Sequence, residues 1–162
     1  MATGRSTQLT RQIGEHLIAA KLGRLGYIAT PFAGNVPDFD LLIADVEGNS
    51  IPVQVKAING GSWQFSISKF LDVEIIDDVQ YVKGKHKLAK PNLVCVFVQL
   101  AEDEKDDFFI FQLKDLQESF SKCYKGGRRS KNPQSLHCAI LPKDLEKFRD
   151  NWSLIEESLK ST

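Results

Sequence analysis

Apolar residues recur every three or four positions near the start of the chain, which is typical of a helix with one buried face. The members of this stripe are Leu9, Ile13, Leu17 and Ala20, widened by Ile18 and Leu22. The pattern predicts a helix over about 7–25. Gly26 follows as a candidate left-handed C-cap, because glycine adopts a positive φ without steric cost.

The middle of the chain changes to short apolar segments separated by polar turns, a pattern that predicts β-strands. The predicted strands cover 27–33, 39–46, 51–58, 63–68, 92–100, 107–113 and 136–141. Segment 33–37 is predicted to be a turn, and the acidic segment between 100 and 107 another. The sequence EGNS at 47–50 would join the second and third strands in a hairpin. In the third strand, Gln54 and Lys56 face away from Ile51, Val53, Val55 and Ala57.

Two further helices are predicted in the C-terminal half, at 114–124 and at 142–160. Apolar residues follow Pro142 at helical spacing, at Leu145, Phe148, Trp152, Ile155 and Leu159. The order of elements predicts one α/β or α+β domain over 1–162, with a central mixed sheet flanked by helices.

Composition narrows the class of protein. Of the 162 residues, 42% are hydrophobic and 26% charged, as in an ordinary soluble globular domain. No apolar run approaches the length of a membrane helix, and the N-terminus lacks the apolar core of a signal peptide, so we expect a cytoplasmic protein with no membrane partner. Three cysteines without a CxxC pair and three histidines without HxH or HExxH spacing argue against zinc. Cys95, inside LVCVFV, is expected to be a buried hydrophobe.

Charge is balanced overall but unevenly distributed. The net charge is zero, which argues against non-specific coating of nucleic acid. Positive residues nevertheless gather in two segments without acidic residues, 83–90 and 122–131. The candidate nucleic-acid-binding residues in them are Lys83, Lys85, Lys87, Arg128, Arg129 and Lys131. Solvated loops explain these segments equally well.

Three short features carry the candidate chemistry: Glu15 in the first helix, Pro37-Asp38-Phe39-Asp40 before an apolar strand, and Gln54-Val55-Lys56 on the next. Pairing in a hairpin would place an aspartate, the Gln54 oxygen and the Lys56 ammonium side by side. The first helix, packed across the sheet, would bring Glu15 to the same place.

Such a cluster suits a hard cation. Mg²⁺ takes oxygen ligands and is usually held by one or two carboxylates together with substrate phosphate. Glu15, Asp40 and Gln54 are the candidate metal ligands, with Asp38 as the alternative to Asp40. The ion would polarise a water towards hydroxide, and Lys56 would lower the pKa of that water or neutralise the transition-state phosphate.

The helix glutamate, GNVPDFDLLIAD and PVQVKA together resemble the core of the PD-(D/E)XK nuclease superfamily, which includes restriction enzymes, junction resolvases and intron-encoded homing endonucleases. The resemblance covers about residues 10–68. It implies a restriction-endonuclease-like mixed sheet flanked by helices, and an endonuclease that hydrolyses DNA with Mg²⁺, for which Mn²⁺ would substitute. By the same resemblance Glu15 is a metal ligand, the aspartate of the PD strand the principal metal ligand, and Lys56 the catalytic lysine.

Two departures from the superfamily pattern leave alternatives open. Gln54 stands where an acidic residue is usual, as in QxK variants, so a catalytically degenerate nucleic-acid-binding or assembly module on the same fold is the second hypothesis. A purely structural protein with a solvated strand face is the third. Asp38 fits the letters of the motif, whereas Asp40 fits the position directly before the strand and is favoured. Because so small a domain has little area for a long recognition site, we expect a homodimer or a higher symmetric homo-oligomer.

Overall fold

The computed structural model describes residues 4–33 and 37–162. Its helices are α1 (Gly4–Arg24), α2 (Leu113–Cys123) and α3 (Ser153–Lys160), with 3-10 helices at Ile67–Lys69 and Pro142–Phe148. Its first five strands are β1 (Ile28–Pro31), β2 (Leu41–Ala44), β3 (Ser50–Ile58), β4 (Trp63–Ser66) and β5 (Leu71–Ile76). The others are β6 (Val79–Lys85), β7 (Val94–Gln99), β8 (Asp107–Gln112), β9 (Gly127–Arg128) and β10 (His137–Ile140).

A five-stranded sheet in the order β1-β2-β3-β7-β8 forms the centre of the fold. Strands β3 and β7 are parallel, and the other neighbours are antiparallel, so the sheet is mixed. Two small sheets accompany it, one of β4 with β10 and one of β5, β6 and β9. The predicted α+β architecture, a mixed sheet flanked by helices, is confirmed, as is the hairpin of β2 and β3.

The central sheet is covered on both faces, which explains why β7 is apolar at nearly every position. One face packs against α1 and α3 in an aliphatic cluster that includes Val53, Val55 and Val96. The opposite face packs against α2 and the β4–β10 sheet in an aromatic cluster. That cluster contains Trp63, Phe70, Phe97, Phe109, Phe111 and Phe120 together with the fully buried Cys95.

Helix α1 buries only part of the predicted stripe. Leu9 and Ile13 are 52% and 46% exposed, whereas Ile18 and Leu22 are fully buried. The helix approaches β3 at Gly14, where the absence of a side chain allows close contact, and that contact fixes which residues turn inward. The helix also begins earlier than predicted, at Gly4. Gly26 has a φ of 94° and ends the helix as predicted.

The β5–β6 hairpin was not predicted from the sequence. Its turn is Asp77-Asp78, and both residues have positive φ, at 49° and 62°. Aspartate tolerates this conformation better than most residues, and two such residues in a row make the tight turn that hairpins favour. In β5, Leu71, Val73 and Ile75 alternate with Asp72 and Glu74, and this pattern is the sequence signal that could have predicted the hairpin.

The predicted continuous C-terminal helix is wrong. The chain forms a 3-10 helix at Pro142–Phe148, leaves helical geometry, and resumes as α3 at Ser153. Between the two, Arg149 pairs with Phe109 of the edge strand β8, and the Asp150 N–H donates to the Phe108 carbonyl at 2.9 Å. Backbone bonds to the sheet edge therefore override the helical periodicity of the side chains.

Residues 34–36 of the predicted turn before Asp38 lie outside the described residues. Among the residues that the structure describes, no helix combines the length and apolar character needed to cross a membrane.

Candidate active site

Asp40 lies where β2 begins beside β3. Its backbone N–H donates to the Val53 carbonyl at 2.9 Å. Its carboxylate oxygen Oδ2 accepts the Val55 N–H at 2.8 Å. The side chain thus takes the position that a backbone carbonyl of a paired strand would occupy. Because β2 pairs with β3 only as far as Val53, the following residues of β3 are open on this side. The backbone therefore fixes the Asp40 carboxylate at the mouth of the hairpin.

Glu15 reaches the same place from α1. The side chains of Glu15 and Asp40 are only 14% and 12% exposed. Arg11, one turn earlier in the helix, donates Nε to Glu15 Oε1 at 2.9 Å and Nη2 to Asp40 Oδ1 at 2.8 Å. One guanidinium thus bridges both carboxylates, which places them within reach of a single cation.

Arg11 belongs to this site but is not among the residues predicted from the sequence. The hydrogen bond to Glu15, together with the charges of Asp40 and Glu15, raises the pKa of the Arg11 guanidinium although burial acts in the opposite direction. The i, i+4 spacing of Arg11 and Glu15 on one helix could have revealed half of this contact. The half to Asp40 depends on the tertiary packing of α1.

Gln54 and Lys56 lie on the face of β3 turned away from α1, level with Cys95 and Phe97 in the register with β7. The Lys56 ammonium sits 5.2 Å from the centre of the Phe65 ring. Neither the Gln54 nor the Lys56 side chain has a hydrogen bond or ion pair with another described residue. Burial, and then the positive charge of Lys69, lowers the pKa of Lys56, while the charge of Asp40 opposes this.

Asp38 takes a different direction from Asp40. It has a φ of 68°, its side chain is 63% exposed, and its Oδ2 lies 3.1 Å from Lys90 Nζ. Asp38 lines the same cleft as Gln54 and Lys56 but has no contact with Arg11. The Arg11 guanidinium therefore joins Glu15 to Asp40, whereas Asp38 pairs with the Lys90 ammonium.

A cleft of about 470 Å³ opens beside these residues. Gln54 and Lys56 form part of its lining, as do three other basic or ionisable side chains, Lys69, Lys90 and His137. A larger cavity of about 750 Å³ lies between the start of β3 and α3, and it is lined by none of Glu15, Asp40, Gln54 and Lys56.

The six predicted nucleic-acid-binding residues lie outside the lining of the cleft that contains Gln54 and Lys56. Lys83 pairs with Glu74 at 3.1 Å and Lys85 pairs with Glu118. Arg128 donates to the Asp77 carbonyl at 3.1 Å. Arg129 packs on the Tyr124 ring and donates to its hydroxyl at 3.2 Å. Lys87 and Lys131 are exposed, and neither has an ion pair with another described residue.

The donor set of the site is small. In the described part of the chain, no group of three or more His, Cys, Asp or Glu side chains is placed to hold a metal ion. The site offers the Glu15 and Asp40 carboxylates, and Gln54 lines the adjoining cleft. That set matches a cation that keeps several waters and takes further oxygens from substrate, as Mg²⁺ does.

Comparison with known proteins places the fold. No protein-family model matches the chain, and no curated protein matches it in sequence. Among solved structures, the chain is similar to a bacterial homing endonuclease, I-Ssp6803I, with a TM-score of 0.56 and 17% identity. The alignment covers 97% of each chain. The fold is thus a nuclease-like fold along nearly its full length.

Proposed function

We propose that this protein is a Mg²⁺-dependent DNA endonuclease of the PD-(D/E)XK type, in which Glu15 and Asp40 are metal ligands and Lys56 is the catalytic lysine. The observation that carries the proposal is the Arg11 guanidinium shared by Glu15 and Asp40 at the mouth of the β2–β3 hairpin. The likeness of the fold to a homing endonuclease supports a nuclease rather than another phosphate-binding enzyme.

The residues fit a magnesium ion for a physical reason. Two carboxylates that contact one guanidinium can also contact one divalent cation. The Gln54 amide oxygen would be a neutral third donor. When bound, Mg²⁺ supplies positive charge to a phosphodiester and lowers the pKa of a coordinated water. Mn²⁺ has the same preference for oxygen ligands and would substitute.

The protein's own groups have separate roles in this proposal. Asp40 is held by the Val55 N–H, so its carboxylate needs little reorganisation to accept a cation. Lys56 is partly buried beside Asp40, and its ammonium would neutralise negative charge that develops on the phosphate during attack. DNA is the proposed partner. A homodimer or higher symmetric homo-oligomer would supply the area that one small chain lacks for a long recognition site.

The test is cleavage of plasmid and branched DNA by the purified protein with Mg²⁺, with Mn²⁺ and with EDTA. We expect metal-dependent nicking that Lys56→Met abolishes. Lys105→Met is the matched control, because Lys105 lies in the exposed turn between β7 and β8 beside Asp103. Equal nicking by wild type and Lys56→Met would rule out the catalytic role of Lys56.

The second candidate function is a nucleic-acid-binding or assembly module without catalysis. Gln54 favours it, since a neutral amide in place of a carboxylate removes charge from the metal site. This function predicts salt-sensitive DNA binding by wild type and no product under any metal condition. Binding and cleavage measured on the same DNA separate the two functions.

A further inference from the structure

Lys69 occupies a fixed position at the edge of the active-site cleft. It ends the 3-10 helix Ile67–Lys69, and its neighbours Ile67 and Phe70 are both buried in the aromatic cluster. The Ile67 N–H donates to the Leu136 carbonyl at 2.8 Å, and the Phe70 N–H donates to the Ile67 carbonyl at 2.9 Å. The Lys69 side chain is therefore exposed on a rigid backbone and lines the cleft beside Lys56.

Lys56 and Lys69 bring two ammonium groups to one cleft. Neither Lys56 nor Lys69 forms an ion pair with another described residue, and the Lys56 ammonium lies over the Phe65 ring. Lys83 and Lys85, on the β5–β6 hairpin, instead have carboxylate partners. Like charges placed together without an anion cost free energy, and a bound anion would relieve that cost.

The rest of the cleft suits a phosphate-bearing strand. The β4–β10 sheet forms one wall, where Ser66 lies opposite His137 in the register and Gln64 is exposed nearby. The Gln64 amide donates to Ser62, whereas the Ser66 hydroxyl and the His137 ring are groups of the kind that contact phosphate oxygens and sugars. No carboxylate other than Asp38 lines the cleft among the described residues, and Asp38 is paired with Lys90. The cleft is thus positively charged beside the two site carboxylates.

We infer that Lys69 binds a backbone phosphate of the DNA strand, next to the cleaved phosphate that Lys56 would contact. This binding site deepens the proposed function and rests on it. It also assigns the entry of the strand to the cleft between β3 and the β4–β10 sheet, rather than to the basic segments at 83–90 and 122–131. The chemical class of the ligand is a phosphodiester anion in a DNA backbone.

The experiment measures equilibrium binding of a fluorescent DNA duplex in EDTA, where no cleavage occurs, between about 50 and about 200 mM salt. Wild type is compared with Lys69→Ala, Lys69→Arg, Lys83→Ala and Lys105→Ala. We expect Lys69→Ala to weaken binding several-fold and to reduce the slope of log affinity against log salt by about one. Lys69→Arg should keep most of the affinity, and the two other alanine variants should match wild type.

The possible results distinguish a failure of the phosphate site at Lys69 from a failure of the proposed nuclease function. If Lys69→Ala binds with the affinity and salt slope of wild type, the phosphate site at Lys69 is wrong, while metal-dependent nicking by wild type would still uphold the nuclease. If Lys83→Ala loses affinity and Lys69→Ala does not, the strand follows the hairpin instead. If wild type neither binds DNA nor nicks it with Mg²⁺, the proposed function and this inference both fail.

Discussion

Gly14 of α1 lies so close to Ala57 of β3 that a Cβ atom built on residue 14 would come 2.5 Å from the Ala57 Cβ. Cβ atoms do not approach each other to that distance, so residue 14 must be glycine for the helix to stay where it is. Arg11 and Glu15 lie on the same helix, within one turn of Gly14. The glycine therefore sets the distance between the carboxylate on the helix and the site on the sheet.

Gly14→Ala tests this dependence. The added methyl group has no space, so we expect a loss of about 1–3 kcal/mol in the free energy of unfolding. We also expect loss of nicking at temperatures where the variant is still folded, since the helix must move away from β3. Gly23→Ala is the control in the same helix, because nothing lies within 4 Å of its added Cβ. It should gain about 0.5–1 kcal/mol. Equal denaturant midpoints for the two variants would contradict the packing argument.

Much of this site could be predicted because it depends on local pattern. The alternation of β3 fixes Gln54 and Lys56 on one face, and the turn EGNS fixes the hairpin that carries Asp40. These features follow from strand geometry and need no knowledge of distant contacts.

Other features depend on tertiary contacts and could not be predicted in this way. The buried face of α1 is set by the contact of Gly14 with Ala57, so Leu9 and Ile13 are exposed despite their helical spacing. The break between the 3-10 helix and α3 is set by backbone bonds from residues 149 and 150 to β8. Likewise, Lys69 enters the cleft only because Ile67 and Phe70 anchor its turn in the aromatic cluster.

Asp40→Asn and Asp38→Asn decide between the two aspartates. Asp40 accepts the Val55 N–H and faces Arg11, whereas Asp38 is mostly exposed beside Lys90. We expect Asp40→Asn to lower the nicking rate by about 100-fold or more, because the proposed metal ion would lose a negatively charged ligand. Asp38→Asn should remain within a few-fold of wild type. The measurement is the initial rate of plasmid nicking in Mg²⁺, and a reversed order would assign the site to Asp38.

Gln54→Glu tests whether the neutral amide limits metal binding. The substitution keeps the size of the side chain and adds a carboxylate at the position proposed for the third metal ligand. A further negative charge should strengthen the binding of a divalent cation. We expect tighter Mn²⁺ binding in a calorimetric titration without DNA. Gln64→Glu, on the opposite wall of the cleft, is the control. Unchanged binding in Gln54→Glu would place residue 54 outside the metal's ligands.

The buried thiols predict a pH dependence of stability. Burial raises the pKa of Cys95 from 9.0 to about 12 and that of Cys138 to about 11. The unfolded chain therefore releases these protons at lower pH than the folded protein does, and stability falls as the pH rises above 9.0. The loss reaches at most about 1.4 kcal/mol per pH unit for each thiol. Urea unfolding of wild type and Cys95→Ala should show a shallower fall with pH in the variant, and parallel curves would contradict the prediction.

Arg11 holds Glu15 and Asp40 together in the absence of a metal. Removing its guanidinium should therefore have two opposite effects, one on stability and one on metal binding. In Arg11→Ala, the two mostly buried carboxylates repel each other without the guanidinium between them, so we expect the metal-free protein to lose about 1–2 kcal/mol in the free energy of unfolding. The same loss frees both carboxylates for a divalent cation, so Mn²⁺ should bind more tightly than in wild type and should restore part of the lost stability.

Denaturant unfolding and calorimetric Mn²⁺ titration, both without DNA, measure these two effects independently of activity. Arg24→Ala is the matched control, since Arg24 is an exposed arginine of the same helix and has no ion pair with another described residue. It should change neither quantity by much. If Arg11→Ala is less stable but binds Mn²⁺ no more tightly than wild type, the guanidinium is a structural partner of the carboxylates and does not compete with a metal for them.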